Sequence, residues 1–161
     1  MRTLLLLRHG KAEERATGGD HARALTRRGR QDSATIGERM QALGLRPDAV
    51  VTSDARRAGQ TAEIVAGILG PTAPLTREPR IYLADADELL TVVRDLPDTQ
   101  ASVLLVGHNP GFQDLANLLA GGVDELPTAG LVHLELAAGR WKDVRPGSAT
   151  LHGVYGPKDA R

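Results

Sequence analysis

Thr3-Leu4-Leu5-Leu6-Leu7-Arg8-His9-Gly10 is a short apolar run stopped by a cation, an imidazole and a glycine. Its length and the glycine behind it favour a buried central strand over a helix. A second run of the same kind, Ser102-Val103-Leu104-Leu105-Val106, ends at Gly107-His108-Asn109-Pro110-Gly111. A third, Asp48-Ala49-Val50-Val51-Thr52-Ser53, is followed closely by Arg56 and Arg57 in the first turn of a helix.

Helical patterns separate these strands. Thr26 is an N-cap for a helix over 27–43, with Ile36, Met40 and Leu43 on one face. Gly44 is its stop, and Pro47 forbids continuation. A second helix is expected over 55–69, with Ala62, Val65, Ala66 and Leu69 inward and Gly70-Pro71 at its end. A third, over 85–96, buries Leu89, Leu90 and Val93; a fourth, over 112–120, stops at Gly121-Gly122. Residues 11–25 read as a long polar loop and 72–81 as extended chain. Leu131-Val132-His133-Leu134-Glu135-Leu136 alternates, as a strand exposed on one side does. Residues 141–144 are expected to return beside it after a turn at Gly139-Arg140. Strands alternating with helices predict an α/β fold: a mostly parallel central sheet, helices on both faces and an antiparallel edge strand. No repeat or internal boundary divides the chain, so 1–161 reads as a single domain.

Composition narrows the function. Twenty Lys and Arg balance twenty Asp and Glu, which argues against a general nucleic-acid or acidic-membrane binder. Aromatics make up only 2%, so base-stacking platforms are not expected. There is no cysteine, which removes disulfides, thiol nucleophiles and cysteine metal sites together. No stretch approaches the roughly 18 apolar residues of a membrane span, and the start lacks a signal-peptide pattern. A soluble, cytoplasmic protein is expected. His21, His133 and His152 show no metal-ligand spacing and read as structural or surface residues.

In open α/β sheets, ligands gather at the carboxyl ends of the strands. His9 and His108 therefore project toward one rim, with Arg8 beside them. Arg56 and Arg57 sit at a helix N-terminus that is already positive, which is unfavourable unless an anion offsets them. Histidines, arginines and helix N–H groups together suit a phosphoryl group.

These residues carry a family resemblance. Leu-Leu-Arg8-His9-Gly10-Lys-Ala12 resembles the N-terminal signature of the histidine phosphatase superfamily, which includes the phosphoglycerate mutases. Ser53-Asp-Ala-Arg-Arg57-Ala58-Gly-Gln60-Thr61-Ala62 resembles its second block, and Val106-Gly107-His108-Asn109-Pro110-Gly111 its third. Within the superfamily the chain is most similar to the short SixA-type phosphohistidine phosphatases. Their Arg-Pro-Leu-Thr-x-x-Gly segment stands here as Arg23-Ala24-Leu25-Thr26-Arg27-Arg28-Gly29, with Ala24 in place of the proline.

The resemblance implies a phosphoglycerate mutase-like fold and a phosphatase that needs no metal or other cofactor. It implies that His9 is the phosphorylated nucleophile, that Arg8 and Arg57 hold the phosphoryl oxygens, and that His108 is the second pocket histidine, acting protonated. Asn109 joins the substrate-binding set. Arg23 either reaches substrate or anchors the first loop, and Arg56 is one residue out of register and counts as surface. No carboxylate matches the proton-donor motif of the larger relatives. Asp85, Asp87 and Glu88 are candidates, with helix capping as the competing role. A phosphohistidine substrate eases that lack, because its leaving imidazole is far less basic than an alkoxide. The expected partner is a phosphorylated protein, such as a histidine phosphotransfer domain. The alternatives are a phosphatase of a small phosphorylated metabolite, nucleotide or sugar, and a catalytically idle phosphate-binding module.

Overall fold

Leu4 and Leu6 of the first strand face one side of a sheet, Leu5 and Leu7 face the other, and all four are fully buried. Burying such a side chain contributes about 1.5–3 kcal/mol, so a run of leucines is stable only where both faces are covered. The structure, a computed structural model, describes residues 1–70 and 73–160 (for 159 and 160, the backbone only). Its elements are β1 (Arg2–Arg8), α1 (Arg27–Ala42), β2 (Ala49–Thr52), α2 (Arg56–Leu69), β3 (Leu75–Arg77), α3 (Ala86–Arg94), β4 (Ser102–Gly107), α4 (Gly111–Leu119), β5 (Leu131–Leu136) and β6 (Ala149–Tyr155).

The strands form one sheet in the order β3-β2-β4-β1-β5-β6. The pairs β2–β3, β2–β4 and β1–β4 are parallel; β1–β5 and β5–β6 are antiparallel. On one face, Ile36 and Met40 of α1 and Ala58, Ala62 and Val65 of α2 pack on Leu5, Leu7, Leu104 and Val106. On the other, α3 and α4 bring Leu89, Val93, Phe112 and Leu115 onto Leu4, Leu6, Val103 and Leu105. The expected α/β architecture is present.

The local signals act as read. The Thr26 hydroxyl accepts from the Gly29 N–H and caps α1, and Gly44 closes its far end at φ +71°. Pro71 and Thr72, part of the expected helix stop and extended segment, lie outside the described residues.

Three expectations are corrected. The extended segment contains a short parallel edge strand, β3, too brief and too exposed to show a pattern. Residues 141–143 form a 3-10 turn rather than the return strand: Trp141 is fully buried and donates its Nε1–H to Gln100 O at 2.7 Å, which holds the segment under the sheet. The true return strand is β6, reached through the turn at Gly147. β5 consequently lies between β1 and β6, and even its polar positions, His133 and Glu135, are only partly exposed.

Strand order positions the functional residues. β1 and β4 are neighbours in register, with Arg8 opposite Gly107, so His9 and His108 leave the sheet side by side. β2 flanks β4 and delivers Ser53 and Arg57 to the same rim.

Candidate active site

The turn after β1 is clamped from two directions. The Gly10 N–H donates to Thr61 Oγ1 at 3.1 Å, and Thr61 Oγ1 in turn donates to Arg57 O. Gly10 also presses on α1: a Cβ there would stand 2.6 Å from Gly29 O, and one on Gly29 would stand 2.1 Å from Lys11 O. Only glycine permits that approach of two backbones. The Leu25 N–H donates to Gln60 Oε1 at 2.7 Å. The segment 23–29 and the block around Gln60-Thr61 therefore hold the His9 loop in place.

Nδ1 of His9 lies 2.7 Å from its neighbour's carbonyl, Gly10 O. A carbonyl accepts, so Nδ1 carries the ring proton and Nε2 keeps its lone pair. Nε2 faces Arg57, whose Nε lies 3.2 Å away. Burial lowers the His9 pKa to about 4, and the cations Arg57, Arg8 and Arg23 add to the effect against the Gly10 hydrogen bond. His9 is therefore a neutral imidazole at neutral pH, with a basic lone pair on Nε2.

The ring of His108 meets that of His9 edge to face, with centroids 5.1 Å apart. Its Nε2 lies 2.8 Å from Ser53 Oγ. Ser53 Oγ also accepts from the Ala55 N–H; its own hydroxyl hydrogen, fully buried, finds an acceptor in His108 Nε2, which puts the imidazole proton on Nδ1. Nδ1 is buried and makes no hydrogen bond within the described chain, and the same is true of Arg8 Nε. Arg8 is held instead through Nη1, which donates to Leu126 O at 2.9 Å. Two buried nitrogens without partners, in the neighbourhood of His9, have the chemistry to receive an anion's oxygens. One expectation changes here: His108 is not protonated in the free protein. Burial, then its neighbours His9 and Arg57, lower its pKa to about 3.

Arg57 is buried, and the anion that offsets it within the chain is Asp20. Its Nη1 donates to Asp20 O at 2.8 Å and its Nη2 to Asp20 Oδ2 at 3.1 Å. The Tyr82 hydroxyl donates to the same Oδ2. Neither Asp20 nor Tyr82 stands out in the sequence; a Gly-Gly-Asp turn in the first loop was the available signal for one of them.

The remaining candidates make contacts of their own. Arg23 donates to Asp20 Oδ1 and Glu13 O, which is loop anchoring. Arg56 is exposed. Asn109 is tied to Gln113 and Leu126 O, so it braces the loop beside His108. Asp85 and Glu88 form a reciprocal capping box at the start of α3, and Asp87 lies exposed in the same turn. His133 pairs with Glu135 and stacks on His152, on the antiparallel strands. His21 sits at the rim of the site, 3.0 Å from Asp54 and edge-on to Tyr82. Among the described residues, no group of three or more His, Asp or Glu is placed to hold a metal ion, and no helix is long and apolar enough to cross a membrane. A separate cleft of about 610 Å³ is lined by Lys11, Arg28, Glu125 and Lys158 and excludes the four pocket residues.

The model of the histidine phosphatase superfamily (branch 1) matches residues 4–83, which include Arg8, His9 and Arg57. An uncharacterized protein of Mycobacterium tuberculosis is 32% identical over 94% of this chain and its own full length. The Nakamurella multipartitia structure that bears the name of the phosphohistidine phosphatase SixA is 26% identical, with a TM-score of 0.85 over 97% of this chain and 96% of that one. A structure of the protein histidine phosphatase SixA complexed with tungstate shares the fold, with a TM-score of 0.84 and 99% of both chains covered at 22% identity. A phosphoglycerate mutase-like fold, a chain-wide likeness to SixA structures and the matching N-terminal blocks agree: this chain belongs to the histidine phosphatase superfamily and is of the SixA type.

Proposed function

We propose that this phosphatase removes phosphoryl groups from phosphohistidine on a protein, such as a histidine phosphotransfer domain, through a phosphohistidine on its own His9 and without a metal ion. The observation that carries this reading is the fixed tautomer of His9. With its proton held by Gly10 O, the lone pair of Nε2 points into the socket formed by Arg8, Arg57 and His108.

Nε2 forms the bond to phosphorus as the bond to the leaving atom breaks, with its electron pair going to that atom. The transferring group spreads negative charge over three oxygens. Two guanidiniums and the His108 Nδ1–H stabilise that charge in fixed positions. Water then displaces Nε2, releasing phosphate and restoring the same neutral tautomer.

Two observations favour a phosphohistidine substrate over a sugar phosphate. Asp85 and Glu88, which would have supplied a proton to an alkoxide, are engaged in capping α3. The chain-wide likeness to SixA structures points the same way.

The test is a substrate panel with trapping of the intermediate. Phosphohistidine protein is expected to give a higher kcat/KM than 3-phosphoglycerate or a hexose phosphate. Acid-labile, base-stable phosphate is expected on His9 and absent from His9→Ala, which has no turnover. A label elsewhere overturns the mechanism, and a sugar phosphate or nucleotide outrunning phosphohistidine overturns the substrate assignment.

A further inference from the structure

A carboxylate has the wrong charge for a phosphoryl pocket, yet Asp20 stands over this one. It follows Gly19, whose φ of +87° suits glycine and turns the loop back over the site. Its side chain accepts from Tyr82 Oη, from Arg57 Nη2 at 3.1 Å and from Arg23 Nε at 2.9 Å. The Tyr82 hydroxyl above all, and then Arg57 and Arg23, lower its pKa to about 2 against the opposing effect of burial, so it is an anion at neutral pH. It is also open to the outside, with 47% of the side chain exposed.

Beside it, four rings meet edge to face. His9 touches His108 at 5.1 Å between centroids, His108 touches Tyr82 at 5.5 Å, and Tyr82 touches His21 at 4.8 Å. They make a continuous aromatic wall from the nucleophile to the rim, with the Asp20 carboxylate bonded to Tyr82. A planar ring attached to phosphorus at His9 would have these rings as its neighbours and the carboxylate within the same rim.

We propose that Asp20 is the counter-ion of a cationic leaving group and thereby selects phosphorylated nitrogen rings over phosphate esters; this rests on the phosphohistidine reading above. In a protonated phosphoimidazole, one ring nitrogen bears phosphorus and the other bears a proton. His9 Nε2 forms the new N–P bond. The old P–N bond breaks, and its electron pair goes to the ring nitrogen, where it cancels the ring's positive charge. The ring leaves as neutral imidazole, carrying the proton it already had, and no acid is required. Asp20 stabilises the protonated ring that makes this departure easy. An ester has no cationic form of this kind and gains nothing from the carboxylate beyond its hold on Arg57.

The test compares kcat/KM of the wild type, Asp20→Asn and Asp20→Glu on two probes, free phosphohistidine and p-nitrophenyl phosphate. Asp20→Asn is expected to lower the phosphohistidine value about tenfold, the size of a lost charge-assisted contact. Its p-nitrophenyl phosphate value is expected to fall less, by the loosening of Arg57 alone, so the ratio of the two values drops; circular dichroism reports the fold. The backbone carbonyl of Asp20, half of its hold on Arg57, survives the substitution. Asp20→Glu, which keeps the charge, is expected to retain the preference for phosphohistidine. A parallel fall on both probes with Asp20→Asn, or loss of the preference with Asp20→Glu, overturns the counter-ion role alone. A wild type that hydrolyses p-nitrophenyl phosphate but not phosphohistidine overturns the proposed function as well.

Discussion

Arg57 Nε lies 3.2 Å from His9 Nε2, so in the free protein a buried cation donates to the lone pair proposed to attack phosphorus. The same guanidinium sends its other two nitrogens to Asp20. When a phosphoryl group enters, the Nε–H must pass from the imidazole to a phosphoryl oxygen while the rest of the fork stays fixed. On the proposed mechanism, His9 is thus oriented before substrate arrives and released by the substrate's own charge.

That division of one planar group among three acceptors makes Arg57 irreplaceable by a point charge. Arg57→Ala is expected to lower kcat by about 10²–10³-fold, the loss typical of one preorganised donor to a developing oxyanion. Arg57→Lys is expected to recover little of it. Steady-state kinetics on p-nitrophenyl phosphate measure both, and near-normal turnover of the Lys variant would contradict the fork geometry.

Ser53 is fully buried, and its hydroxyl is the partner that orients His108. Ser53→Ala leaves a buried ring nitrogen unpaired, at a cost of about 1–3 kcal/mol. Thermal denaturation is expected to show a lower Tm, and kcat is expected to fall because the Nδ1 proton is no longer held toward the phosphoryl site. Unchanged stability and unchanged kcat together would show that the Ser53–His108 bond does not form.

The capping box at α3 separates two roles that sequence left open for Asp85 and Glu88. Removing an N-cap carboxylate costs about 1 kcal/mol, so Asp85→Ala is expected to lower Tm. Turnover of phosphohistidine is expected to stay near the wild-type value in Asp85→Asn, Asp87→Asn and Glu88→Gln, whereas loss of a true acid costs about 10²–10⁴-fold. A loss of that size in any of the three would identify a proton donor.

Both pocket histidines are held neutral, with pKa values lowered from 6.5 to about 4 for His9 and about 3 for His108. The unfolded chain therefore binds more protons below the ordinary histidine value. Stability is full above that value and is lost as pH falls toward 4, with a slope approaching about 1.4 kcal/mol per pH unit for each group. Urea unfolding between pH 7 and 4 is expected to show this, and His9→Gln/His108→Gln is expected to flatten it. A double variant with the wild-type pH dependence would exclude these residues as the source.

What the sequence determined by itself was local. An apolar run such as 3–7 reads as a buried strand because its side chains and the breakers behind it lie within a few residues of one another. Thr26, Gly44 and the strand-end groups Arg8, His9, Arg57 and His108 were legible for the same reason: capping and strand termination are short-range. The tertiary structure decided the rest. It put β1 beside β4, so that His9 and His108 touch. It made β6 the partner of β5 and placed Trp141 in a buried turn tied to Gln100 O. It joined Ser53 to His108 across 55 residues, Asp20 to Arg57 across 37 and Asp20 to Tyr82 across 62. No spacing rule reaches that far. Such pairs form only after strand order has brought separate loops to one rim, where a hydroxyl or carboxylate hydrogen-bonds the donors and acceptors the sheet places beside it.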